Sequence, residues 1–243
     1  MWKKATAPLS LAAGLLVLTI VLSGCGVRGS GDVVSEQRQV SGFDRINVSG
    51  RGKLIITQGS AEGITVEAED NIIGKIETAV EGGVLKIGER GGWFGGIWPR
   101  KDIVFRVTAK ELKEVTFSGS GEISGQNTIE TNELTVKTNG SGKVDIAVRV
   151  QKLVVDINGS GTVTLSGTAE QVKLDSSGSG TFHARQLAAR DAEVRISGSG
   201  KVEVNAKEKL IVNISGSGRV AYEGNPTVES HISGSGQLDR LTQ

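Results

Sequence analysis

A four-residue phrase, Ser-Gly-Ser-Gly or its variant Asn-Gly-Ser-Gly, returns seven times in the second half of the chain. Its first glycine stands at 119, 140, 159, 178, 198, 216 and 234, so the steps are 21, 19, 19, 20, 18 and 18 residues. A fixed period of that size marks a solenoid. Each repeat is one coil, too small to bury its own apolar face, and a continuous core forms only when coils stack.

The columns of the repeat say what the coil is made of. Four residues after each first glycine stand Ile123, Val144, Val163, Phe182, Val202, Val220 and Leu238, all apolar. Three residues after it stand Glu122, Lys143, Thr162, Thr181, Lys201, Arg219 and Gln237, all polar. Four before it the column reads Val115, Val136, Val155, Leu174, Val194, Val212 and Ser230. Alternation with period two on both sides of the phrase predicts strand, corner, strand. Stacking pairs each strand in parallel with its equivalent in the next coil, at about 4.8 Å per coil. The expected fold is therefore all-β, a single-stranded parallel β-helix with coils of 18–21 residues and no helix required in the mature chain. A right-handed winding is expected because parallel crossovers are overwhelmingly so, although the shortest coils also suit the left-handed hexapeptide type. The phrase reads as the corner. Its glycines supply the backbone angles of a sharp turn, and its serine hydroxyls satisfy turn amides or one another along the stack.

Aromatics make up 4% of the chain while 35 residues are Gly, which suits a thin core of β-branched side chains. The formal net charge is +1 and no basic stripe with interleaved aromatics is present, so nucleic acid is not an expected partner.

At the N-terminus, Lys3 and Lys4 precede an apolar run from Leu9 to Leu22 that ends in Leu22-Ser23-Gly24-Cys25. The run is short for a membrane span. It reads as a lipoprotein signal peptide over residues 1–24, cut before Cys25, the single cysteine of the chain, whose lipidation (diacylglyceryl, palmitate) anchors the protein. Acyl chains gain about 0.8 kcal/mol per buried methylene, so several of them hold a protein on its membrane. Gly26 is not a residue that would retain a lipoprotein in an inner membrane. The expected location is the outer membrane of a diderm or the outer face of the plasma membrane of a monoderm. Residues 25–39, rich in Gly, Ser and charge without periodicity, are expected to form a lipidated flexible tether.

Residues 40–117 are strand-like but irregular, and 118–243 hold the regular coils. Ser49-Gly50-Arg51-Gly52, between Phe43, Ile46, Val48 and Leu54, Ile56, is a degenerate first copy of the phrase. The 69 residues from Gly50 to Gly119 have room for about three more coils at this period, but their irregularity points to a cap over one end of the solenoid. Within them, Gly91 to Lys101 holds Trp93, Phe94 and Trp98, the candidate partner-binding residues. Aromatics in a Gly-punctuated loop suit contact with a partner, a glycan or lipid headgroups, and equally a plug folded over the solenoid end.

Catalytic and metal chemistry find little support. A phosphate-binding Gly loop needs a helix after it, and here a strand follows each time. His183 and His231 fall in different outward columns three coils apart, which does not suit a shared metal. Outward acids such as Asp145, Asp156, Asp175 and Glu203 mix with Lys137, Lys173 and Arg195, as on a solvated face; two carboxylates converging in a groove would instead mark a glycan-processing β-helix enzyme. No cofactor site and no Ser or Cys nucleophile pattern is present.

The lipobox, the opening Phe43-Asp44-Arg45-Ile46-Asn47-Val48-Ser49-Gly50, the following Leu54-Ile55-Ile56-Thr57-Gln58-Gly59 and the serial phrases together resemble the head GIN domain family of auto-transporter adhesins, over about Val40 to Leu238. The resemblance implies a parallel β-helix exposed from a bacterial envelope, with no catalytic residues to carry over. It departs from the family pattern at Arg51 and in the Trp-rich loop. The expected function is a non-enzymatic, lipid-anchored adhesin that presents a β-helix surface to a polymer, glycan or protein ligand. The alternatives are the glycan-processing enzyme and a structural, self-associating envelope module.

Overall fold

The structure, a computed structural model, describes residues 26–90 and 96–241. Cys25, Trp93 and Phe94 lie outside the described residues. The chain opens with β1 (Val27–Arg28) and β2 (Val33–Arg38), then makes a first coil from β3 (Arg45–Gly50) and β4 (Lys53–Gln58). An excursion follows through β5 (Gly63–Glu69), the one-turn helix α1 (Asp70–Ile73), β6 (Ile76–Glu81), β7 (Val84–Glu89), β8 (Ile97–Trp98) and β9 (Val104–Ala109). The remaining strands are β10 (Glu114–Gly119), β11 (Glu122–Gly125), β12 (Ile129–Gly140), β13 (Lys143–Gly159), β14 (Thr162–Gly178), β15 (Thr181–Gly198), β16 (Lys201–Gly216), β17 (Arg219–Glu223), β18 (Thr227–Gly234) and β19 (Gln237–Arg240).

From β10 onward every pairing is parallel, and the expected β-solenoid is what the chain forms. The corner glycines stack in one file, Gly50 on Gly119 and then Gly140, Gly159, Gly178, Gly198, Gly216 and Gly234. Glycine is required there for two reasons. At Gly178, φ is +117°, and a Cβ would stand 2.6 Å from the carbonyl oxygen of Gly159 in the coil below. The closeness is what lets the corner hydrogen-bond along the stack: Ser141 N–H donates to Gly119 O (3.0 Å) and Ser160 N–H to Gly140 O (2.9 Å). The backbone amides of the serines therefore satisfy the stacked corners, where the hydroxyls were expected to. Inside, the columns at plus and minus four form the core, with Val115, Val136, Val155, Leu174, Val194 and Val212 fully buried.

The interval between Gly50 and Gly119 adds no coil between them, because Gly119 pairs directly with Gly50. Instead the chain leaves the stack and extends both of its sheets beyond the first coil. On one face β7 pairs parallel with β3, and β6 antiparallel with β7. On the other, β9 pairs parallel with β4, then β5 and β2 follow antiparallel. The helix α1 links the two sheets across the open end and sets Ile72 and Ile73 into the core, which gives the cap the sequence pointed to. It is a short helix where none was expected, placed where the chain must cross from one sheet to the other.

The segment read as a flexible tether is built into this cap. Six of its residues form β2, whose partner β5 is buried and supplies the ladder; β2 itself is an exposed edge and so shows no apolar period of its own. Upstream of β2, Val27 N–H donates to Gly96 O and Gly29 N–H to Trp98 O, both at 3.0 Å, so that β1 lies parallel to β8.

Candidate functional site

The irregular end of the molecule concentrates the unusual side chains. β8 holds Ile97 in the core and turns Trp98 out, with 61% of its surface exposed. Trp98 is therefore a surface residue, and the plug over the solenoid end is α1. The guanidinium of Arg51 lies 5.9 Å from the centre of the Trp98 ring, within cation–π range. The two departures from the repeat, Arg51 and the Trp-rich loop, are thus brought into one contact across 47 residues of sequence. The N-terminal segment runs beside the indole, so close that a Cβ on Gly26 would overlap Trp98.

Glu69 fixes that arrangement. Its carboxylate is buried, 1% exposed, and accepts the backbone N–H of Gly31 at 2.7 Å and of Arg100 at 2.8 Å. The next two residues continue the clamp: Asn71 bridges Ser30 N–H and Arg28 O, and Asp70 accepts from the Ser30 hydroxyl at 2.5 Å. Gly29 lacks a side chain because the Glu69 carboxylate occupies that space. None of these residues stood out in the sequence, where Glu69-Asp70-Asn71 reads as an ordinary polar turn.

A groove of about 690 Å³ opens beside Trp98, lined by Arg51, Glu77, Lys86 and Glu89 with the first two corners, Gly50 and Gly119, at its base. Asn47 also lines it, and its buried Oδ1 has no hydrogen-bond partner. A second, shallower trough of about 780 Å³ lies where the cap meets the stack, between Gln58, Lys110, Glu130, Arg149 and Glu170. Its wall is cross-linked by an Arg149–Glu130 ion pair at 2.5 Å.

Along the regular coils the outward columns form charge ladders. Lys137 pairs with Glu114 and Arg149 with Glu130, each one coil away. Asp156 and Asp175 are register partners on adjacent coils, the one place among these columns where two acids stack directly. Burial first, and then the facing Asp175, raises the Asp156 carboxyl above its ordinary 3.8, while Lys137 and Lys173 pull it down. The strand spacing of about 4.8 Å is near that of a retaining glycosidase pair. However, the two acids sit on a flat strand face and line neither groove. His183 bonds Glu203 at 3.1 Å and His231 stacks on Asn213, so the structure does not bring the histidines together. Among the described residues no cluster of three or more His, Cys, Asp or Glu could hold a metal ion.

Solved structures share this architecture. A putative adhesin of Bacteroides fragilis matches with a TM-score of 0.83 and 27% identity, over 89% of this chain and 100% of that one. A putative lipid binding protein of Parabacteroides distasonis matches at 0.74 and 26%, over 89% and 99%. A putative adhesin of Parabacteroides merdae matches at 0.70 and 23%, over 89% and 99%, and shares the fold. No curated protein matches the chain. Residues 42–226 match the family model described as "Putative auto-transporter adhesin, head GIN domain", and the chain belongs to that family.

Proposed function

We propose that this is a non-enzymatic, lipid-anchored protein of the bacterial envelope, whose stacked coils present an extended surface to a polymer or protein partner. The observation that carries the reading is the stack itself. Eight corners in unbroken register carry flat ladders of Lys, Arg, Asp and Glu, one step per coil. A repeating ligand such as a glycan or an extended peptide can be met at several steps at once, and weak contacts then add through effective concentration. The adhesin names of the family and of the Bacteroides fragilis structure agree with a surface role, and the lipid-binding name of the Parabacteroides distasonis protein agrees with residence at a membrane.

The test is a glycan array and a pull-down from envelope extract with the mature chain, together with a product assay on any polymer captured. Capture without new chain ends is expected. Release of reducing ends or unsaturated sugars, abolished by Asp156→Asn or Asp175→Asn, would replace this reading with the glycan-processing one.

A further inference from the structure

We infer that the capped end is a membrane seat: Trp98, with Arg51 over its ring and Arg28 and Arg100 on the adjoining backbone, rests in the headgroup layer of an anionic bilayer and fixes the solenoid's orientation on it. The inference rests on the proposed lipidation of Cys25. In the sequence Cys25 immediately precedes Gly26, which is packed on the Trp98 indole. The backbone from Val27 to Asp32 is held by β8, Glu69, Asp70 and Asn71. The slack that a free tether would provide is absent, and acyl chains on Cys25 draw this surface, and no other, against the bilayer.

The surface has the chemistry to lie there. Trp is the side chain that favours the headgroup level, where its ring is apolar and its N–H stays wet. Arg28 is the register partner of Trp98, Arg51 lies over its ring, and Arg100 donates to Ser30 O at 3.3 Å. All three arginines are exposed, and among the described residues none of them is ion-paired, whereas most other arginines of the chain hold a carboxylate. Val33 and Val34, 51% and 41% exposed, follow directly on the clamped segment. Three of the four large apolar side chains left exposed among the described residues therefore belong to this end, and each unpaired arginine adds attraction to anionic lipid. With the cap on the membrane, the ladders of β10 to β19 stand clear of it.

The test uses the full chain, expressed with its signal segment, extracted from membranes and reconstituted in vesicles of equal parts phosphatidylcholine and phosphatidylglycerol with brominated acyl chains. Trp93→Phe leaves Trp98 as the sole tryptophan of the mature chain. Intact mass first reports whether Cys25 carries lipid. Quenching of Trp98 fluorescence by the brominated lipid, with protection from iodide, is the expected result. Arg51→Gln and Arg100→Gln should each lower the fraction of protected Trp98 by about fivefold in its seated-to-free ratio, less in pure phosphatidylcholine. A lipidated chain whose Trp98 stays open to iodide and unquenched overturns the seat while the anchor stands. An unmodified Cys25 overturns the anchor and the seat with it.

Discussion

Thr138 and Ser176 are the two polar side chains buried inside the regular coils, and neither hydroxyl has a hydrogen-bond partner. Both occupy the column two before the corner glycine, where the sequence runs Phe117, Thr138, Ile157, Ser176, Ile196. The Phe117 ring, register partner of Thr138, fills the place where a Cβ of Gly142 would be, whereas further along Ile196, Ile214 and Ile232 follow one another in the same column. Thr138 is a compact side chain beside that ring, but its shape does not demand a hydroxyl. An unsatisfied buried hydroxyl costs about 1–3 kcal/mol, and Val has nearly the same shape. Thr138→Val should accordingly stabilise the fold by about 1 kcal/mol, seen as a higher midpoint in urea. A lower midpoint would mean that the hydroxyl has a partner.

At the scale of the strand, the outward columns are read one residue per coil, so a like-charged pair in register is felt directly. Asp156 faces Asp175, and its burial and that neighbour together raise its pKa above 3.8. A carboxyl whose pKa is raised on folding contributes favourably only while protonated; that contribution is full below the unfolded value and is lost as pH rises through the folded one. At neutral pH the charged Asp156 therefore weighs against the fold. Asp156→Asn is expected to raise the denaturation midpoint at pH 7, with the gain shrinking to nothing below about pH 3.8; equal gains at both pH values would exclude the carboxylate as the cause. This pairing was legible in the sequence, since Asp156 and Asp175 share a column once the period is known, and so was the whole solenoid from β10 onward. The cap was legible only as an interruption. β2 lies at an edge with both of its valines exposed, so the buried period that betrays a strand is carried by β5 and not by β2. The Arg51–Trp98 contact and the Glu69 clamp were not legible for another reason. They join residues 31 to 47 apart that the chain brings together only by leaving the stack and returning, and no local pattern encodes that path.

For the molecule as a whole, the two ends of the stack are finished differently. The N-terminal end is closed by α1 and by sheet extensions. At the other end β18 and β19 pair with β16 and β17 on one side, and among the described residues nothing pairs with their outer edge. An open edge of that kind is a template for another strand, and natural proteins blunt it with polar or charged side chains. The last coil does so in its inward columns. Ser230 stands where the preceding coils place Val115, Val136, Val155, Leu174, Val194 and Val212, and Arg240 is the register partner of Tyr222. Ile232 remains 39% exposed in the same coil, so apolar surface is available once the polar guards are removed. Adding a further coil, or a second molecule, over this end would bury the Ser230 hydroxyl and take the charge of Arg240, which bonds only Gly224 O and Asn225 Oδ1, out of water, which is unfavourable. The double variant Ser230→Val with Arg240→Val removes that obstacle and leaves the edge intact. It should stay folded, because the bonds Arg240 makes to Gly224 O (2.9 Å) and Asn225 Oδ1 (3.3 Å) lie at the exposed surface, and it should associate end to end more strongly than the natural chain. Light scattering across a dilution series measures this directly: a variant that associates no more than its parent would show that these two residues do not govern pairing at the end of the solenoid.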